Sequence, residues 1–183
     1  MKAGVVLLFL AGAAVVHAAP ENIALKKPYT LSPAPKYSYC TDPGDAQQVT
    51  DGVYSQGYFW TQKSTVGWNN TAPVFCTIDL GKVEPIGGLS WSCAAGAAGV
   101  TWPECLYVLV SDDKKEWTCL GDLCVLGTES RVPPEKGYAQ FRYATEGLKG
   151  RGRYVCVVAA AQPYCFVDEV EVWRGPEAWL QGE

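Results

Sequence analysis

Val74, Cys76, Ile78 and Leu80 alternate with Phe75, Thr77 and Asp79, so an extended chain sends the first set to one face and the second to the other. Gly81-Lys82 is read as the end of that strand. Leu89, Trp91 and Cys93 repeat the pattern against Ser90 and Ser92, and Leu106, Val108 and Val110 repeat it over residues 105–111. Asp112-Asp113-Lys114-Lys115 makes a turn, and residues 117–120 return as a hairpin partner. Further extended stretches fall at 21–30, briefly at 58–60, and at 138–143, 154–158 and 167–173. Leu31 to Pro43 carries three prolines and reads as an ordered surface loop. No segment shows an amphipathic helix of three turns. Roughly eight short strands separated by Gly and Pro predict an all-β fold, an antiparallel β-sandwich.

Residues 1–19 do not belong to that pattern. Met1-Lys2, an apolar run over 5–16, and His17-Ala18-Ala19 have the layout of a secretory signal peptide, with a run too short to span a bilayer. The expectation is an exported, soluble protein, extracellular or periplasmic, with no membrane span. Its body runs over 20–175, with a short tail at 176–183. Removing the leader removes the sole histidine, His17, and with it the commonest general base. It also removes Lys2, which takes the formal charge from −4 to about −5. A mildly acidic, scattered charge pattern offers no basic face for nucleic acid or an anionic membrane.

Eight cysteines remain, at 40, 76, 93, 105, 119, 124, 156 and 165. An even number in an exported chain reads as disulfides, and Cys119 and Cys124 are close enough in sequence to bridge a short hairpin. Zinc is disfavoured, because there is no Cys-x-x-Cys pair and no histidine to complete a site. Asn69-Asn70-Thr71 is a glycosylation sequon, meaningful where the source cell glycosylates.

Between these strands, Gln47 to Trp60 holds Asp51-Gly52, the mark of a tight turn, because Gly takes backbone angles other residues avoid. Alone it reads as a solvated turn. Such a turn can also converge a carboxylate and several carbonyls on one point, as calcium requires.

Six blocks then occur in order: Asn22-Ile-Ala-Leu-Lys-Lys-Pro, Val49-Thr-Asp-Gly, Thr77-Ile-Asp-Leu-Gly-Lys-Val, Val110-Ser-Asp-Asp-Lys-Lys-Glu-Trp, Tyr154-Val, and Val167-Asp-Glu-Val-Glu-Val-Trp. Each is weak alone, but the ordered series resembles the discoidin domain of coagulation factors and its bacterial relatives, the family 32 carbohydrate-binding modules. The likeness covers residues 22–173. It implies a galactose-binding-like jelly roll of eight strands whose loops at one end bind sugars, lipids or proteins. It also implies a structural calcium, Ca2+, held by the carbonyls of Gln48, Val53, Gln56 and Asp168 and the carboxylates of Asp51 and Glu169. Such a shell offers about six oxygens. The chain departs from the family where Val53 stands for Asn or Asp and Gln56 for Thr, changes that cost little where only carbonyls are used. It departs again in the turn 112–115, where relatives place Gly after the second Asp, and in its number of cysteines.

A sugar ring lays an apolar face on an aromatic ring while nearby polar groups fix its hydroxyls. Trp60, Trp91 and Trp173 are read as core. Tyr37, Tyr39, Trp68, Trp102 and Tyr164, in Pro- or Gly-rich surroundings, are the ligand-binding candidates, with an opening expected at the small residues 94–100. The function expected is therefore a secreted, non-catalytic module whose partner is a carbohydrate, a glycan or polysaccharide. The alternative is adhesion to a cell-surface protein or lipid through the same fold. A hydrolase is the rival class, but no acid pair falls in a recognisable motif, the serines have no histidine partner, and the cysteines are expected to be oxidised.

Overall fold

The computed structural model describes residues 19–127 and 131–181. The signal-peptide reading rests on residues 1–18, outside the described residues. Among the described residues there are nine strands: β1 (Tyr29–Ser32), β2 (Val66–Asn69), β3 (Val74–Ala95), β4 (Cys105–Ser111), β5 (Thr118–Asp122), β6 (Ala139–Thr145), β7 (Gly150–Ala160), β8 (Tyr164–Val167) and β9 (Val170–Arg174). One helical turn, α1 (Leu123–Leu126), follows β5, with the Asp122 carboxylate accepting from the Cys124 N–H at its start. Every pairing is antiparallel. No helix of the described residues is long and apolar enough to cross a membrane.

β3 organises the sandwich. Its first half lies between β1 and β7, and the sheet continues outward through β4 to β5. Its second half lies between β6 and β9. The register shifts between Asp79 and Glu84. Gly81-Lys82 therefore does not end the strand, as the sequence suggested, but bends one strand of 22 residues from one layer into the other. Gly81 sits there at φ +90°, a conformation that costs a side-chain-bearing residue dearly. The Asp79 carboxylate fixes the bend by accepting from the Gly81 N–H and from Arg153 on β7.

Both layers bury the same apolar face. Val74, Cys76, Ile78, Val108, Val155 and Val157 from one side meet Leu89, Trp91, Phe141, Tyr143, Val170 and Val172 from the other in one core cluster. Burial of this apolar area is the main drive for the fold. A second cluster, with Phe59, Trp60, Ala94, Ala95, Val100 and Phe166, fills one end. Asn22 ties the start of the chain to the last strand, its side-chain oxygen accepting from the Ala24 and Val172 N–H groups.

Two further sequence expectations change. Residues 59–61 form a 3-10 turn rather than a strand, consistent with Phe59 and Trp60 both being buried although they are neighbours. The expected strand 167–173 is shorter, β9 beginning only at Val170, and Val167 instead closes β8, a strand where the sequence suggested a loop. Among the described residues no two cysteine sulfurs are bonded, and Cys40, Cys76, Cys93, Cys156 and Cys165 are buried as small apolar core residues. Cys119 and Cys124 face different groups, the carbonyls of Gly121 and Pro103.

Candidate functional site

The proline-rich loop, residues 33–43, folds back on the β2–β8 pair. The Lys36 and Tyr37 N–H groups both donate to the Gly67 carbonyl, and the Cys40 and Thr41 N–H groups donate to the Tyr37 carbonyl. This brings three of the five expected aromatics together. Tyr37 lies 5.7 Å from Tyr39 and 5.7 Å from Tyr164, ring centre to ring centre. Phe166 backs the group, edge-on to Tyr37 at 5.0 Å and nearly parallel to Tyr164 at 6.2 Å. Tyr39 is the most open, with 68% of its surface exposed, whereas Tyr37 and Tyr164 are half-buried. Burial, then the neighbouring Tyr164 phenol, raises the pKa of Tyr37, which keeps that hydroxyl neutral and able both to donate and to accept. Lys36 and Gln162 are exposed beside the rings, and Thr101 donates to the Gln162 carbonyl. The arrangement offers flat apolar faces with hydroxyl and amide groups at the rim.

The other two candidates do not join them. Trp68 is fully buried in the main core, with its indole N–H donating to the Pro33 carbonyl, so its ring is closed to a ligand. Its neighbours Gly67, Asn69 and Asn70 made it look like a loop residue, yet Val66–Asn69 is a strand paired with β8. Gly67 is there because a Cβ would stand 2.6 Å from the Phe166 ring. Trp102 is half-buried between the two clusters, edge-on to Phe141 at 5.8 Å, with its indole N–H on the Pro134 carbonyl. It supports the 94–100 turn rather than opening beside it.

The Asp51 turn meets the end of the chain as the sequence suggested. Gly52 N–H donates to Glu169 Oε2 at 3.1 Å, and Ser55 N–H donates to Asp168 Oδ2 at 2.7 Å. Asp51 itself is half-buried and accepts from the Val53 N–H. Asp168 and Glu169 are consecutive and both buried. Both lie in the gap between β8, which ends at Val167, and β9, which begins at Val170, where the chain passes from pairing with β2 to pairing with β3. Among the described residues, Glu169 Oε1 and Asp168 Oδ1 have no hydrogen-bond partner and neither carboxylate pairs with Lys or Arg. Burial, then the negative charges of Asp51, Glu171 and Asp168, push the Glu169 pKa up to about 8 against the pull of the Gly52 N–H. Burial also raises that of Asp168. Two orphaned buried carboxylate oxygens without a counter-charge fit a hard cation. No three Asp, Glu, His or Cys side chains converge among the described residues, so such a cation would be held largely by carbonyls. Gln48 is buried with its amide side chain on Asp45, which leaves its carbonyl as the usable donor, whereas Val53 and Gln56 are exposed.

Sequence reasoning missed a second aromatic pair, the exposed Tyr58 on the half-buried Tyr138. Their rings stack at 4.6 Å and 23°. Each directly follows a glycine at positive φ, Gly57 and Gly137, and that Gly-Tyr repetition was the available signal.

No family model matches the chain, and no curated protein matches it. Solved structures do. The module CpGH89CBM32-6 produced by Clostridium perfringens is 18% identical, with a TM-score of 0.52 over 85% of this chain and 100% of that one. The lectin domain of Lectinolysin, solved with Lewis B antigen, is 20% identical, with a TM-score of 0.55 over 85% and 98%. A Streptococcus pneumoniae fucose binding module is 19% identical, with a TM-score of 0.51 over 85% and 96%. The chain has the antiparallel β-sandwich fold of these structures.

Proposed function

We propose that this chain is an exported, non-catalytic carbohydrate-binding domain that seats a sugar ring on the Tyr37–Tyr39–Tyr164 cluster and carries a structural calcium at the Asp51 turn. The observation that carries the first part is the exposed Tyr39 ring beside Tyr37 and Tyr164, held by the backbone bonds of a proline-rich loop. Rings already fixed in place lose little entropy on binding. The neighbours of the fold support the ligand class, since one is solved with a Lewis antigen and another is a fucose binding module. Calcium is supported by the orphaned oxygens of Glu169 and Asp168. The ion would be held by Asp51, Glu169 and the carbonyls of Gln48, Val53, Gln56 and Asp168, and it would supply the missing positive charge, not chemistry on the sugar.

The test is a glycan array probed with wild-type protein and with Tyr39→Ala. Binding to a defined set of glycans, lowered about tenfold or more in the variant, is the expected result, the size being that of a truncated aromatic anchor. Absence of binding to every glycan overturns the reading.

Adhesion to a protein is the second reading, and one observation favours it. Phe75, Val158 and Tyr107 lie side by side across β3, β7 and β4, on the face opposite the core. Capture of a cell-surface protein together with a blank array would support it.

A further inference from the structure

The exposed Tyr58 is not an isolated side chain. It covers Tyr138 in a stack and meets Trp60 edge-on at 5.5 Å, while Trp60 meets Tyr138 edge-on at 5.4 Å. The hydroxyl of Tyr138 donates to the Gly57 carbonyl and accepts from the Phe59 N–H. Gln140 donates to the carbonyls of Ser55 and Gly57, and Thr61 donates to the Tyr58 carbonyl. A surface ring 52% exposed is thus fixed from below and from both sides. Burial of Tyr58 does not explain this, because much of the ring faces solvent. Rigid, amphipathic and open is what a stacking anchor requires.

The pair is also joined to the first tyrosine cluster. Trp60 lies 5.8 Å from Phe166, and Phe166 lies 5.0 Å from Tyr37. Trp60 and Phe166 are both buried in the same end cluster. Two open aromatic platforms, Tyr39–Tyr37–Tyr164 and Tyr58–Tyr138, therefore stand on one buried aromatic base at the same end of the sandwich. Hydrogen-bonding groups lie between and around them: Lys63, whose ammonium reaches the Thr41 carbonyl of the first loop, and Gln62 beside Gly57.

We propose that Tyr58 and Tyr138 form a second sugar subsite, so that the domain's ligand is an extended oligosaccharide held at two rings of one chain, not a single terminal sugar. This rests on the reading of the first cluster as a sugar site. A monosaccharide reaches one platform; a longer chain reaches both, and the second contact, once the first is made, is intramolecular and so strengthens binding beyond either alone.

The experiment uses the same array, ordered by chain length, with free galactose, fucose and N-acetylglucosamine as competing monosaccharides. Wild-type protein is expected to prefer oligosaccharides over the competing monosaccharides. Tyr58→Ala is expected to shrink that preference about tenfold, the size of one lost aromatic anchor. Tyr58→Phe keeps the ring and is expected to restore it, since among the described residues no hydrogen bond of the Tyr58 hydroxyl holds the stack. A wild-type melting temperature in both variants shows that folding is intact. Wild-type binding that is equal for mono- and oligosaccharides, or an oligosaccharide preference unmoved by Tyr58→Ala, overturns the second subsite and leaves the first standing. A blank array overturns both.

Discussion

Tyr39 and Trp68 sit in similar sequence surroundings, among Gly, Pro, Ser and Asn, and the structure sends one to solvent and the other to the centre of the core. The difference lies in partners remote in sequence. Trp68 is opposite Cys165 in the β2–β8 pair, and its indole N–H reaches Pro33. Nothing local announces either contact. Trp68→Ala is expected to cost about 3–5 kcal/mol in stability by urea unfolding, the usual range for an emptied aromatic core site. Trp68→Phe, which keeps most of the volume, is expected to cost less and to leave glycan binding at wild-type strength once folded. Loss of binding in folded Trp68→Phe would return Trp68 to the site. Trp60, Trp91 and Trp173 were legible as core because alternation or motif position placed them, and all three are buried.

At the scale of elements, alternation found most strands, and β4 lies on the residues 105–111 that it indicated. It failed where a strand bends without ending. Gly81-Lys82 has turn chemistry, but the chain spends it on a bend within β3, locked by Asp79. Arg153, by donating two bonds to Asp79, and then the Gly81 N–H hold the Asp79 carboxyl below its ordinary pKa. The sign follows from linkage. A carboxyl whose pKa is lower in the folded state favours folding above its unfolded pKa of about 3.9, and that contribution disappears as pH falls through the lower folded value. The pair is partly exposed, so it is worth no more than about 1 kcal/mol. Asp79→Asn is expected to lose about that much at pH 7 and to match wild type at the acid end, checked by urea midpoints from pH 2 to 7. An equal loss at all pH values would show that Asp79 acts through shape alone. The sequence also reads as loop over residues 164–166, because what makes β8 a strand is its pairing with β2, remote in sequence.

Across the whole molecule, the ordered motif blocks made the sandwich legible because each marks a junction between distant segments, as Asn22 does with β9. The Asp51 turn is another such junction. Gly52 and Ser55 bond to Glu169 and Asp168, more than a hundred residues on. These bonds use one oxygen of each carboxylate and leave the other buried and unpaired, a cost of several kcal/mol per ion while the charge remains. A calcium held by the Glu169 carboxylate and the Asp168 carbonyl would remove the Glu169 part of that cost, set a positive charge beside Asp168, and stabilise only the folded chain. Free calcium at a hundred times its dissociation constant adds about 2.7 kcal/mol, which for a domain of this size raises the melting temperature by roughly 5–10 °C. The expected outcome is a midpoint higher by that amount in calcium than in chelator. Asp51→Ala is expected to remove the difference, because it takes away a carboxylate ligand. Glu169→Gln separates the ion from the turn. It keeps an oxygen for the Gly52 N–H and deletes the buried charge, so the variant in chelator is expected to be at least as stable as wild type in chelator, while calcium no longer raises its midpoint. Identical wild-type midpoints in calcium and in chelator would mean that the two carboxylates are buried without a metal, and that the junction is held by the Gly52 and Ser55 bonds alone.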